Sequence, residues 1–219
     1  MMDKFKRLIM DNRGLMTGLG IFFILSAFFL ILNPRGVGFL ELTPYHGPFL
    51  NSFFTYFTNL GDGLFSIFLV VILLVMRKID FALQILIAFL ISGLFTQVLK
   101  GLITSPRPRD FFSVADSIYI IEGVTLGGKA SFPSGHTASA FALAVSLSLY
   151  SGNKFLNIIY LLLAIGVGYS RIYLSQHFPG DVFGGAVIGV LVAIWVYLFM
   201  EKYNARIMRR AQKNRVKSN

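Results

Sequence analysis

The sequence predicts an all-α protein, an integral membrane bundle of six transmembrane helices. Three observations carry that prediction. The chain of 219 residues is 55% hydrophobic and only 14% charged, with mean hydropathy +0.70. A soluble domain of this length does not have that composition. The apolar residues gather into six runs, separated by polar segments. The basic residues concentrate at the two ends of the chain, outside those runs.

Residues 1–13 are polar and carry Lys4, Lys6, Arg7 and Arg13. The first run, 15–32, is long enough to remain as a membrane anchor. No small-residue cleavage site follows it, so a cleavable signal peptide is not expected. Asn33-Pro34 closes it. Residues 35–62 form a mixed loop, whose aromatic, amphipathic part 49–60 suits the membrane interface. The second run, 64–76, is short for a span of about 20 residues. It lengthens backward through 57–63, which leaves Asp62 near the interface, and Arg77-Lys78 ends it. The third run, 81–99, ends at Lys100. A long loop, 101–134, carries Pro106, Pro108, Gly127, Gly128 and Pro133.

The fourth run, 137–150, is rich in alanine and serine, which suits close packing inside a bundle. The fifth is 156–169. The sixth, 182–200, is entered through Gly180-x3-Gly184 and Gly185-x3-Gly189, spacings that permit tight helix contact. The tail is polar and basic, frayed or surface-bound. No internal repeat is visible, so a single domain over 1–219 is expected, with basic cytoplasmic ends at 1–14 and 201–219.

Charge tests the span count. With six spans and both ends in the cytoplasm, the inner segments hold 14 basic and 4 acidic residues, the outer loops 6 of each. Basic segments stay in the cytoplasm, so the count should be even. The net charge of +10 therefore reads as membrane topology and contact with anionic headgroups, with no nucleic acid as partner. The chain has no cysteine, which excludes disulfides and thiolate chemistry.

This topology brings the polar residues together. The third and fifth spans end outside, at Lys100 and near Arg171. The fourth and sixth begin outside, at His136 and Asp181. All the polar clusters then meet at one membrane face, the extracytoplasmic or periplasmic face of the inner membrane. Charges so close to hydrocarbon are expensive and usually functional. His177 and Asp181 are four apart, a spacing that can bring a carboxylate back to an imidazole. That pairing fixes a tautomer and makes the other ring nitrogen a better nucleophile. Lys100, Arg107 and Arg171 supply three positive charges for a tetrahedral dianion. Pro133-Ser134-Gly135-His136 precedes a helix, whose first N–H groups and dipole favour an anion. Of the two histidines, one can attack phosphorus and the other protonate the leaving oxygen. No carboxylate cluster resembles a magnesium site, and two histidines with one aspartate are a weak zinc pattern. No metal or cofactor is expected.

Three stretches then align. Lys100 is followed after six residues by Arg107-Pro108. Pro133-Ser134-Gly135-His136 comes next. Ser170-Arg171 precedes His177 by five residues, and Asp181 follows after three more. Together they resemble the three signature motifs of the type-2 phosphatidic acid phosphatase family, also called lipid phosphate phosphatases. That family shares its core with vanadium haloperoxidases and class A bacterial acid phosphatases. The membrane framework argues against those soluble branches. The resemblance covers roughly residues 64–200.

It implies that His177 is the nucleophile forming a phosphohistidine, that Asp181 orients it, and that His136 is general acid and then base for water. It implies that Lys100, Arg107, Ser134, Gly135 and Arg171 hold the phosphate oxygens without a metal. The implied substrate is a membrane lipid phosphate, with undecaprenyl diphosphate and phosphatidylglycerophosphate first and lipid A or phosphatidic acid as alternatives. It would enter sideways from the bilayer, its tail in a cleft near the outer ends of spans three to six. An anion transporter and a silent lipid-binding protein are the non-enzyme readings. Charges at one face, with none mid-span, argue against the first, and the intact histidines and aspartate against the second. His46, Asp62, Arg109, Asp110 and Lys129 match no motif. Arg109 and Lys129 are possible headgroup contacts, and Asp62 reads as a helix cap.

Overall fold

A computed structural model describes residues 2–112, 118–121, 123–124, 128 and 130–217, with side chains between 6 and 203. Lys129 lies outside the described residues. The described chain is helical and contains no strand. Its elements are α1 (Met2–Asp11), α2 (Arg13–Leu32), α3 (Arg35–Leu42), α4 (Pro48–Phe57), a 3-10 turn (Thr58–Gly61), α5 (Gly63–Val75), α6 (Ile79–Leu102), α7 (Pro108–Phe111), α8 (Gly135–Ser151), α9 (Lys154–Tyr173) and α10 (Pro179–Lys217).

The alanine- and serine-rich run became the centre. Twelve residues of α8 are buried, and the helix packs on α6, α9 and α10. Small side chains let those neighbours approach closely. On α10, a Cβ at Gly185 would strike the Ser134 carbonyl oxygen, and one at Gly189 the Ala138 carbonyl oxygen. The two helices therefore touch backbone to backbone. The earlier glycine pair does not share this contact: Gly184 seats the Phe132 ring, and Gly180 has only Leu30 nearby, at 4.0 Å.

The periphery is apolar and faces outward. Helix α2 buries only Leu15 and Leu19, while Ile24, Phe28 and Ile31 are exposed. A helix this apolar with so little protein cover has hydrocarbon as its solvent. Among the described residues four helices are long and apolar enough to cross a membrane: α2, α6, α9 and the Pro179–Tyr203 part of α10. The α4 and 3-10 segment together with α5 makes a fifth if taken as one span bent by 54°. The backward extension of the second run is thus not a straight helix. It breaks at Asp62, which is extended and caps α5 by accepting the Leu64 N–H at 2.8 Å. Helix α8 has 17 residues, short for a full crossing. The tail differs from the sequence reading as well. Helix α10 runs on to Lys217, through a segment without proline or glycine.

The ends that matter converge. Gly135 at the start of α8 lies against Thr96, one turn before Lys100 on α6. The Ser134 N–H donates to the Asp181 carbonyl at 2.9 Å, which ties the start of α8 to the start of α10. The loop from α9 to α10 is only residues 174–178, so Arg171, His177 and Asp181 stay together.

Candidate active site

The loop after α9 folds back on its own helix end. The N–H groups of Gln176 and His177 both donate to the Arg171 carbonyl, at 3.0 and 3.1 Å. This turns the His177 ring inward, where the residue is 2% exposed. Asp181 faces it: Oδ2 lies 3.7 Å from Nδ1. That is longer than a hydrogen bond. Ser131 bridges the pair, donating its hydroxyl to Asp181 Oδ2 at 2.5 Å with its oxygen 3.4 Å from His177 Nδ1. The Phe178 N–H also donates to Oδ2, at 2.8 Å. The carboxylate is thus fixed by two donors and aimed at the ring. Burial pulls the His177 imidazole well below its ordinary value, to about 3; the Asp181 carboxylate opposes this, and nearby Arg171 and Arg107 add to it. The ring is held neutral, with a lone pair available.

The next residue seals the pocket. Phe178 is fully buried against Phe39, Phe111 and Phe112. Arg35, at the start of α3, covers it with its guanidinium 3.9 Å from the ring centroid. Arg35 also donates to Ser105 Oγ at 2.7 Å and to the Pro106 carbonyl at 2.8 Å, and approaches Asp181 Oδ1 at 4.0 Å.

The cations come from three elements. Arg107 is buried and donates to the carbonyls of Gly128 and Gln176, both at 2.9 Å. Arg171 is buried on α9 and donates to Thr58 Oγ1 at 2.9 Å. The Gln176 side-chain oxygen stands 3.5 Å from both guanidinium groups and spaces them. Among the described residues the buried Arg171 Nε has no acceptor. Lys100, half-buried at the end of α6, lies within the electrostatic reach of Arg107, Arg171 and Asp181.

His136 is in the first turn of α8. Its Nε2 stands 3.7 Å from Asp62 Oδ2, and both side chains are partly exposed. Ser134 is buried and spends its hydroxyl on capping. It accepts from Thr137 Oγ1 at 2.8 Å and from the Thr137 N–H at 3.4 Å. Its own N–H is taken by Asp181. The first-turn N–H groups of Gly135 and His136 point out of the helix start and suit an anion.

The eight residues singled out from the sequence therefore gather at one end of the bundle. Sequence reasoning missed Ser131, Arg35, Thr58 and Gln176, and took Asp62 for a cap alone. His46 lies away from the cluster. It stacks between Tyr119 and Tyr173, at 4.4 and 4.5 Å, with Nε2 3.1 Å from the Tyr173 carbonyl. Arg109 sits on α7, and its buried Nε has no acceptor among the described residues. Among the described residues no three histidine, aspartate or glutamate side chains converge as a metal cluster.

A helical membrane bundle with two histidines, one fixed carboxylate and three cations at one end defines a narrow class. The chain belongs to the PAP2 superfamily, which matches residues 81–205, more than half of its length. It is 34% identical over 170 residues to phosphatidylglycerophosphatase B of Bacillus subtilis, covering 71% of this chain and 77% of that one. It is 35% identical over 126 residues to a lipid A 4'-phosphatase of Bacteroides thetaiotaomicron, covering 58% and 55%. The crystal structure of a transmembrane PAP2 type phosphatidylglycerolphosphate phosphatase from Bacillus subtilis superposes with TM-score 0.64 at 29% identity, over 86% of this chain and 96% of that one. The chain spans about half the length of the first curated relatives it matches. Arg35, Thr58 and Asp62 precede the matched segment.

Proposed function

We propose that the protein is a lipid phosphate phosphatase of the membrane, working through a phosphohistidine on His177. One observation carries the reading. A buried Arg171, its Nε without an acceptor, stands among Arg107, Lys100 and a neutral, carboxylate-oriented histidine. An unpaired buried donor is costly unless a ligand completes it. A phosphate group would complete it.

In the first step His177 attacks phosphorus, the bond to the lipid oxygen breaks, and His136 gives that oxygen a proton. In the second, His136 takes a proton from water as it attacks the phosphohistidine, which frees His177. Lys100, Arg107, Arg171 and the N–H groups of Gly135 and His136 balance the charge that develops on the equatorial oxygens. The Ser134 side chain contributes by capping α8 and so aiming those N–H groups.

The substrate class is a membrane lipid bearing a phosphate. The relatives' names cover lipid A, phosphatidylglycerophosphate and undecaprenyl diphosphate. Their shared chemistry is an anionic phosphate on an apolar tail. A groove of about 300 Å³ between α5, α8 and α9 suits the tail, with Leu60, Phe65, Ala140, Leu143 and Val167 on its walls. It lies between the second, fourth and fifth apolar runs. Ala140 is one turn from His136 and Val167 one turn from Arg171, so a tail there leaves its phosphate at the cluster. Each buried methylene contributes about 0.8 kcal/mol. The reading includes six spans, with α8 crossing at the centre of the bundle, and an active site at the extracytoplasmic face of the inner membrane.

The test is phosphate release by purified protein in detergent, in the presence of a chelator. The panel holds phosphatidylglycerophosphate, undecaprenyl diphosphate, lipid A, phosphatidic acid and glycerol phosphate. The expected result is chelator-resistant release from at least one long-chain substrate and little from glycerol phosphate. Release from none of them, or equal efficiency on glycerol phosphate, refutes the proposal.

A further inference from the structure

Asp62 lies 19 residues before the family-matched segment begins, and no signature motif includes it. We infer that Asp62 is a positioning residue for His136, holding that ring ready to protonate the lipid leaving group. The inference rests on the phosphatase reading above.

Three observations support it. The Asp62 carboxylate is divided between two tasks. Oδ1 accepts the Leu64 N–H at 2.8 Å and anchors the residue as the cap of α5. Oδ2 is then left facing His136 Nε2 at 3.7 Å. A cap alone needs only one of these oxygens. Apo contacts of catalytic groups are often longer than a hydrogen bond and tighten with substrate.

The backbone is also shaped for this meeting. A Cβ at Gly61 would lie 2.6 Å from the His136 carbonyl oxygen. Only a residue without a side chain lets the 3-10 turn press against the start of α8. That close approach sets Asp62 beside His136.

The third observation is where the pair stands. Leu60 and Ala140, which line the apolar groove, are two residues from Asp62 and one turn from His136. The tail side of the cluster is the leaving-group side. The oxygen that departs with the lipid therefore emerges at His136. Burial, with the charges of Arg171, Lys100 and Arg107, pulls the His136 imidazole below its ordinary value, to about 4, and among the described residues Asp62 is the carboxylate that opposes this. A carboxylate there favours the proton-bearing ring and fixes its orientation. When phosphoryl transfer to His177 breaks the P–O bond, the proton moves from His136 to the leaving oxygen. The ring is then neutral and can take a proton from water in the second step.

Leaving-group dependence separates this role from capping. An alkyl phosphate needs the proton; a nitrophenyl phosphate leaves without it. The experiment compares two long-chain substrates with the same tail, an alkyl phosphate and a nitrophenyl phosphate. Release of the leaving group is read as kcat/KM, which reports steps through phosphohistidine formation. Asp62→Asn keeps a cap oxygen for Leu64 while removing the charge. It should lose about 10- to 100-fold on the alkyl ester, a share of the range for general acid catalysis, and less than about 3-fold on the nitrophenyl ester. His136→Ala should show the same pattern more strongly, and Asp62→Glu should recover part of the alkyl activity. Equal losses on both esters, or unchanged activity on the alkyl ester, overturn the inference and leave Asp62 a cap. Hydrolysis of neither ester by the unsubstituted protein overturns the phosphatase reading, and this inference with it.

Discussion

Two histidine–aspartate pairs stand in this site at the same separation, and their surroundings differ. His177 and Asp181 approach to 3.7 Å with side chains 3% and 4% exposed. His136 and Asp62 approach to 3.7 Å with side chains 31% and 40% exposed. The first pair is locked: Ser131 and the Phe178 N–H hold the carboxylate, and the His177 ring is buried. The second pair has one anchor, the Leu64 N–H, and is partly exposed. A nucleophile benefits from burial, because a neutral imidazole with a fixed tautomer attacks without reorganisation. A proton carrier must meet a leaving group and then water, so it cannot be sealed. In the proposed mechanism solvent access, with distance held equal, divides the two roles.

Substitutions on each side can break or sharpen that comparison. The largest effect is expected at the sealed pair. His177→Ala should reduce turnover by at least about 10⁴-fold, as loss of a covalent nucleophile does. Acid-labile phosphate should be trapped on the unsubstituted protein and absent from the variant. Near-normal turnover in His177→Ala would show that the buried ring is structural.

The next effect concerns what locks the carboxylate. Asp181→Asn should cost about 10²- to 10⁴-fold, since the ring keeps its place and loses its oriented charge. Ser131→Ala should cost about 10-fold, the scale of a hydrogen bond to a charged group. The two should not be additive, because Ser131 acts through Asp181. Additive losses from the double variant would mean that Ser131 has a separate task.

The smallest effect is expected at Arg35. Its side chain is 35% exposed and stands 4.0 Å from Asp181. Arg35→Gln should keep kcat within about 5-fold, and the loss should shrink as salt is raised. A loss as large as that of Asp181→Asn, unaffected by salt, would place Arg35 inside the locked pair.

Much of this was legible in the chain. The apolar runs at 15–32, 81–99, 156–169 and 182–200 each lie inside a long apolar helix, because hydropathy is a local property and needs no partner. The histidines, the cations and Asp181 were legible because they sit at run ends, where charge beside hydrocarbon calls for a reason. One glycine pair near a motif was misjudged. Gly180-x3-Gly184 has the same spacing as Gly185-x3-Gly189, yet only the second meets the backbone of α8. Which face of α10 turns toward α8 is set by packing, and spacing alone does not report it.

What only the tertiary structure decided are contacts between distant residues. Ser131 is 50 positions from Asp181, and Thr58 is 113 from Arg171. A serine or threonine in a loop has no local signature of the carboxylate or guanidinium it will meet. Asp62 looked like a cap and is one; its second oxygen acquired a partner only when the 3-10 turn pressed Gly61 against α8. The bend of 54° between α4 and α5 is likewise a compromise among neighbours. By itself the sequence determined an α-helical membrane protein and the residue types of its chemistry, because burial in lipid and charge at helix ends act residue by residue. Which oxygen faces which nitrogen, and which histidine is sealed, depended on how the helices pack together.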